Sequence, residues 1–233
     1  MLMNQTNQLI KFGKLFIDAL NNLKEDQPET VFTIIDMLDC VHPDPGYHLG
    51  IYIEGPWLEG PITHRCDQSW FHCYQGIEEP IMRIPHSFDK WEDGDSENML
   101  FLRFTFEMFL HLSINHTPLG AWQAYLLSIS KTVLPFSGIT YYTKREIIFQ
   151  REQLKDIRSL EVHEIESLYN LETDLSPKVS MDGNKAIVSC CFWSDWGGLF
   201  RESVVITFLG NGKVKIGDFT KDNYYEYDVG VCF

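Results

Sequence analysis

The fold is decided by residues 199–219, which read LFRESVVITFLGNGKVKIGDF. With one exception, apolar side chains stand at alternate positions from Phe200 to Phe208, and this is the period of a β-strand with one buried face. Asn211 and Gly212 follow, and both tolerate the positive φ that a type I′ turn requires. The stretch therefore predicts two antiparallel strands joined by a tight turn.

An antiparallel meander is expected for everything after Pro177. Its strands are predicted at 185–193, 199–209, 213–219 and 225–233. Before Pro177, apolar residues recur mainly at helical spacing, and capping signals mark several helix starts. Helices are predicted at 5–24, 26–40, 117–135, 144–158 and 160–171. Period-two stretches predict strands at 47–54, 69–74 and 102–114, and residues 76–98 are expected to form a solvated connection.

This order of elements indicates an α+β fold, in which helices pack on antiparallel sheet and the chain ends in an antiparallel β-meander. No internal repeat and no Gly/Ser-rich or Pro-rich linker divides the sequence. We therefore expect residues 1–233 to form a single domain. A soft boundary near residue 176 would separate a helix-rich part, 1–175, from the meander, 178–233.

The charge and composition exclude several classes of protein. The 233 residues include 33 Asp and Glu against 19 Lys and Arg, so the formal net charge is −14 at pH 7. Such a chain repels phosphate backbones on average, and nucleic acid is not expected as a partner. Hydrophobic residues make up 44% of the chain and charged residues 22%, which argues against disorder.

The sequence also predicts a compartment. No segment reaches the ~18 unbroken apolar residues of a bilayer span, and the N-terminus lacks the pattern of a secretion signal. No membrane partner is therefore expected, and the predicted location is cytoplasmic. The six cysteines show no disulfide-framework spacing, which is typical of free thiols.

Signatures of common catalytic sites are missing from the sequence. It contains no Gly-x-Ser-x-Gly elbow, no phosphate-binding loop, no His-Glu-x-x-His and no Cys-x-x-Cys. The missing signatures weigh against an enzyme but do not decide whether the protein is one, and no cofactor is expected.

Weak candidates for a metal site are His64, Cys66 and His72. They belong to a group of histidines and cysteines between residues 42 and 73, and His64 and Cys66 share one face if the segment is extended. The spacing matches no known zinc finger or knuckle. The preferred interpretation is therefore hydrogen-bonded strand histidines and small apolar cysteines, with no metal.

A candidate binding loop lies between residues 193 and 201, where the predicted strands 185–193 and 199–209 are joined. Trp193 and Trp196 flank Asp195, two glycines allow a tight turn, and Arg201 follows. Large rigid rings beside charge are typical of recognition surfaces. The preferred interpretation of the loop by itself is nevertheless structural, as a hairpin loop that folds back over a sheet edge.

Glu202 is included among the candidate binding residues because it is the polar exception in the alternation described above. It shares a strand face with Phe200 and Val204, so it should point inward and need a partner. An inward carboxylate is either a general acid/base or one half of a salt bridge near the sheet rim.

The favoured function is a noncatalytic acidic interaction protein, such as an inhibitor or immunity-type protein that neutralises a basic protein, for example a secreted nuclease. Solubility explains the charge equally well, since many soluble bacterial-type proteins are acidic. The alternative is a small hydrolase or metal-dependent enzyme that uses the His/Cys group at 42–73, or Asp195 with Glu202. The chain is expected to be a monomer or a small homo-oligomer.

Overall fold

In the computed structural model, the described residues are 2–23, 29–59, 64–75, 81–84, 108–130, 145–157 and 160–227. The α-helices are α1 (Leu2–Asn21), α2 (Glu29–Asp36), α3 (Pro118–Ser128) and α4 (Val162–Tyr169), and a 3-10 helix spans Arg151–Asp156. Within these residues, no helix is both long and apolar enough to cross a membrane.

Within the described part of the chain, the strands form three sheets. Their bounds are β1 (Val41–Pro43), β2 (Tyr47–Glu59), β3 (His64–Gln75), β4 (Ile81–Ile84), β5 (Leu112–Ile114), β6 (Glu146–Ile148), β7 (Lys178–Asp182), β8 (Lys185–Ser194), β9 (Gly198–Phe208) and β10 (Val214–Tyr225). The largest sheet has the order β10-β9-β8. Strands β6 and β7 both pair with β8 along the edge opposite β9. All of its pairs are antiparallel. β1 pairs with β5, and β3-β2-β4 forms a sheet in which β2 and β4 are parallel.

The predicted fold class is confirmed: helices accompany antiparallel sheet, and the chain contains a C-terminal antiparallel meander. The main core covers one face of the meander, which we call the inner face and which carries Phe192, Phe200 and Val204. Helix α3 packs there, and each of its residues from Gly120 to Ser128 is buried. Its start agrees with the sequence, because the Thr117 hydroxyl accepts a hydrogen bond from the Gly120 amide at 3.0 Å.

A second core covers part of the opposite, outer face of the meander. Successive residues of a strand point to opposite sides, so Trp193 and Leu199 lie here while their neighbours Phe192 and Phe200 face α3. Residues between 148 and 175, including Leu168 of α4, pack over this end of the face. The single domain expected over residues 1–233, with its soft boundary near residue 176, stays a prediction.

The helix predicted at 144–158 is wrong. Glu146–Ile148 is the strand β6, which pairs with β8 and buries Ile147 and Ile148, and the 3-10 helix follows. The capping pattern lies later than predicted, where the Gln153 side chain accepts hydrogen bonds from the amides of Phe149 and Gln150 at 2.8 and 3.0 Å. Burial against β8 therefore outweighs the helical signal before Glu146.

The strand predicted at 102–114 is wrong in part. Residues 108–110 are helical, only Leu112–Ile114 is a strand, and 102–107 lie outside the described residues. Met108 and Phe109 are both buried although they are consecutive, and Leu110 is 65% exposed. This pattern fits a helical turn and not the alternation of a strand.

Four further elements differ from the predictions. Helix α2 ends at Asp36, and β4 lies within the expected connection at 76–98. β7 is an additional strand of the meander, joined to β8 by the Gly183-Asn184 turn. β10 continues through Asp222 to Tyr225, and the rest of the strand predicted at 225–233 lies outside the described residues beyond 227.

The turn between β8 and β9 gives a stability prediction. Gly198 has φ +69°, and a Cβ there would collide with the carbonyl oxygen of Tyr225 on β10. Gly183 has φ +55° but no atoms near the position of a Cβ, so it is the matched control. We expect Gly183→Ala to lower the free energy of unfolding by about 1 kcal/mol and Gly198→Ala by about 3 kcal/mol, measured by urea denaturation. Equal losses would contradict the backbone contact between the turn and β10.

Candidate functional site

Trp193 and Asp195 stabilise the β8–β9 turn from inside. Trp193 is only 2% exposed, and its Nε1 donates a hydrogen bond to Asp195 Oδ1 at 3.0 Å. Its ring lies 5.1 Å from that of Tyr227, centroid to centroid. The Trp193 side chain is therefore part of the core. A binding partner would contact the residues that pack over it, such as Tyr227, and not the Trp193 ring itself.

Trp196 is the half-buried ring of the predicted loop. It lines a surface pocket of about 390 Å³ together with Gly197, Lys221, Asn223, Glu226 and Tyr227. The structure thus places the loop beside the end of β10. The end of β10 was not among the candidate residues predicted from the sequence. The signal available was the run Tyr224-Tyr225-Glu226-Tyr227.

Helix α4 reaches the same end of the meander at Tyr225, which pairs with Leu199 and lies outside the lining of the pocket. Partial burial raises the pKa of Tyr225, and the Glu164 carboxylate raises it further through its charge and a hydrogen bond. The aromatic groups Trp196, Tyr225 and Tyr227 and the carboxylates Glu164 and Glu226 are therefore gathered at one end of the meander. We call these five residues the acidic–aromatic surface.

Arg201 does not face this surface. It is 8% exposed, and its guanidinium donates to Tyr224 Oη at 3.0 Å and to Ser189 Oγ at 3.1 Å. Further hydrogen bonds reach the carbonyl oxygens of Ser176, at 3.3 Å, and of Asp174. These contacts tie the segment before β7 to the sheet, so the guanidinium is engaged in holding the fold.

Glu202 lies on the inner face of the sheet and is 6% exposed. Its Oε1 accepts a hydrogen bond from the Tyr125 hydroxyl at 3.1 Å, and its Oε2 lies 2.6 Å from Nη1 of Arg145. The Arg145 guanidinium also lies 5.5 Å from the ring centroid of Phe200. Burial raises the pKa of Tyr125 well above its ordinary value, and the adjacent Glu202 charge adds to this effect. Tyr125 is thus a neutral donor to Glu202.

Asp195 and Glu202 are not brought together. Glu202 pairs with Cys190, whereas Asp195 lies in the turn after Ser194, the last residue of β8. Cys190 and Ser194 are four residues apart, which corresponds to roughly 13 Å along the strand. Two carboxylates that share one catalytic step must approach the same substrate atoms. The arrangement offers no support for an Asp195/Glu202 site.

The histidine and cysteine candidates lie on β3, where His64 pairs with Glu59, Cys66 with Trp57 and His72 with Gly50. The side chains of His64 and Cys66 are outside what the structure describes. His72 is 7% exposed, and burial lowers its pKa to about 4. Burial also raises the pKa of Cys73 to about 12.

Within the described residues, no group of three or more His, Cys, Asp or Glu side chains is arranged to hold a metal ion. The thiols of Cys40, Cys73, Cys190 and Cys191 are free. Burial raises the pKa of the adjacent Cys190 and Cys191 thiols, which disfavours the reactive thiolate.

The chain matches no protein-family model, and no similar curated protein or solved structure was found.

The Glu202 contacts predict a stability role. Glu202→Gln removes the charge opposite Arg145, and we expect the free energy of unfolding to fall by about 2 kcal/mol because the carboxylate is buried while Arg145 is partly solvated. Glu146→Gln is the matched control, since Glu146 is exposed and lies beside Arg145 in the chain; a loss below about 0.5 kcal/mol is expected there. Urea denaturation at neutral pH measures both. Equal effects would remove the role assigned to the buried carboxylate.

Burial of His72 predicts acid sensitivity. Its pKa falls from 6.5 to about 4 on folding, so below pH 6.5 the unfolded chain takes up a proton that the folded chain does not. Stability is therefore lost as the pH falls from about 6.5 to about 4, and the loss between about pH 7.5 and 5 is about 2 kcal/mol. His72→Gln should remove this part of the pH dependence, whereas His163→Gln, at an exposed site on α4, should retain it. Parallel stability curves for wild type and His72→Gln would show that His72 is not the cause.

Proposed function

We propose that this chain is a noncatalytic interaction protein of the inhibitor or immunity type, which binds a basic protein through the acidic–aromatic surface. The observation that carries the proposal is the pocket beside the β8–β9 turn, where Trp196 and Tyr227 meet Glu226. Lys221 also lines this pocket, and its ammonium lies over the Phe200 ring, 4.0 Å from the ring centroid. Aromatic rings and carboxylates in one place are suited to the arginine and lysine side chains of a basic partner.

Two aromatic groups of this surface, Tyr225 and Tyr227, rest on the buried core. Tyr227 packs on the buried ring of Trp193, and Tyr225 lies 6.5 Å from the same ring, centroid to centroid. Rings supported in this way lose little conformational freedom on binding. They could therefore contribute most of the affinity of a complex.

The surrounding charge favours fast association. Carboxylates exposed on the 3-10 helix, on α4 and on the segment after α4 are Glu152, Asp156, Glu161, Glu166, Glu172 and Asp174. Together with the net charge of −14, they would attract a basic protein over distances up to about the Debye length. An acidic surface of this kind can imitate the charge of a nucleic acid, which suits neutralisation of a nuclease.

We further propose that the protein acts in the cytoplasm. The free thiols at Cys40, Cys73, Cys190 and Cys191 support this location, since thiols stay reduced there. In this proposal neither nucleic acid nor a membrane is the partner. The acidic character and the immunity-like role would fit a bacterial-type protein, by analogy alone.

Affinity capture followed by binding kinetics tests the proposed function. The immobilised chain should retain, from a lysate of its source, a stoichiometric partner that is rich in Lys and Arg. The association rate constant should fall at least about tenfold between about 20 and about 300 mM salt, because screening weakens steering. Trp196→Ala should raise the dissociation rate at least about tenfold, by analogy with interface anchor residues.

The matched control for Trp196→Ala is Phe32→Ala, which removes a partly exposed ring on α2. It should leave both rate constants unchanged. The proposal is overturned if no basic partner is retained, if the association rate is the same at low and high salt, or if the two variants dissociate at the same rate.

A further inference from the structure

Among the residues that the structure describes, those that cover the outer face of the meander lie at one end of it. The residues between 148 and 175 pack over Trp193 and Leu199, and the Arg201 contacts extend that cover to Ser189. One row farther along the same face, Ile187 and Val205 are direct cross-strand partners. They are 51% and 39% exposed, although both lie in central strands of the sheet.

Lysine side chains border this exposed apolar pair. Lys185 and Lys215 both pair with Thr207, so they stand in the next row of the outer face, about 10 Å apart across β9. Both are exposed. Asp182 lies opposite Lys185, which leaves the row with an excess of positive charge. We call Lys185, Ile187, Val205 and Lys215 the open sheet patch.

Helix α4 presents the complementary chemistry on the same side of the sheet. Val162 is 75% exposed at its first turn, with the exposed carboxylate of Glu161 before it. Glu166 is also exposed and follows Val162 by four residues, so the two side chains are neighbours on one side of the helix. An apolar group between two carboxylates matches an apolar pair beside two lysines.

We propose that a second copy of this chain covers the open sheet patch, as a two-fold symmetric homodimer in which α4 of each copy docks on the patch of the other. Both surfaces lie on the outer face of one meander, so a two-fold axis between them makes both contacts at once. An interface of this type is closed and stops at the dimer. Each half would pair Val162 with Ile187 and Val205, and Glu161 and Glu166 with Lys185 and Lys215.

The proposed dimer does not depend on the proposed function. It uses Glu161, which precedes α4, and Val162 and Glu166 on α4. Glu161 and Glu166 are also among the exposed carboxylates that would attract a basic partner, but none of the five residues of the acidic–aromatic surface takes part in the dimer contacts. The dimer is tested with the purified chain alone, so its failure and the failure of partner binding are separate results.

Sedimentation equilibrium of the full chain between about 1 and about 100 μM tests the dimer. The wild type should dimerise in this range. Lys215→Glu and Glu166→Lys should each raise the dissociation constant at least about tenfold, because each places like charges at both symmetric contacts. Lys11→Glu is the matched control: it reverses an exposed lysine on α1, which packs on the inner side, and should leave the constant unchanged.

Mixing the two weakened variants provides the decisive measurement. In a heterodimer of Lys215→Glu with Glu166→Lys, both symmetric contacts again join opposite charges, so the mixture should dimerise nearly as tightly as the wild type. Equal circular dichroism spectra and melting temperatures would show that the variants are folded. A wild type that is monomeric at ~100 μM, variants no weaker than Lys11→Glu, or a mixture that stays monomeric would overturn the proposal.

Discussion

The pairing of β8 with β9 is the constraint on which the rest of the structure depends. Because this pair lies in the middle of the meander, each of its faces needs a cover, and strand alternation assigns different side chains to each. Phe192 and Phe200 face α3 in the main core, whereas Trp193 and Leu199 face α4 and the segment around it. The inner face also holds Glu202, whose charge is accommodated only because Tyr125 and Arg145 reach it from outside the meander. Both candidate surfaces lie at the margins of this arrangement.

Much of the fold could be predicted from the sequence where local signals agree with burial. The alternation in residues 199–208 and the turn at Asn211 mark the hairpin, and Asn211 adopts φ +64° as that turn chemistry suggests. The caps of α3 are visible in the same way, since Thr117 and Pro118 carry the signal themselves. Predictions were wrong where a local pattern competed with tertiary packing. The capping pattern before Glu146 resembled a helix start, but Ile147 and Ile148 are buried more fully as an extra strand beside β8.

The candidate site was less predictable, because its parts are distant in the sequence. The inward direction expected for Glu202 follows from period two alone, yet Tyr125 and Arg145 are 77 and 57 residues away from it and no local spacing identifies them. For the same reason Trp196 could be singled out, while its neighbours from β10 and α4 could not. Sequence periodicity gives the face on which a side chain lies, and only the pairing of distant elements determines what it meets there.

The buried guanidinium of Arg201 has a consequence for motion. It joins β9 to the carbonyl groups of Asp174 and Ser176 and to the Tyr224 hydroxyl, so the cover of the outer face and two strands of the meander share one hydrogen-bonded centre. Local opening of the segment between α4 and β7 would have to break this centre and expose an arginine that has lost several partners. The cover is therefore expected to open as one cooperative unit together with the Trp193 core and not to fray residue by residue, which makes it a foldon in its own right.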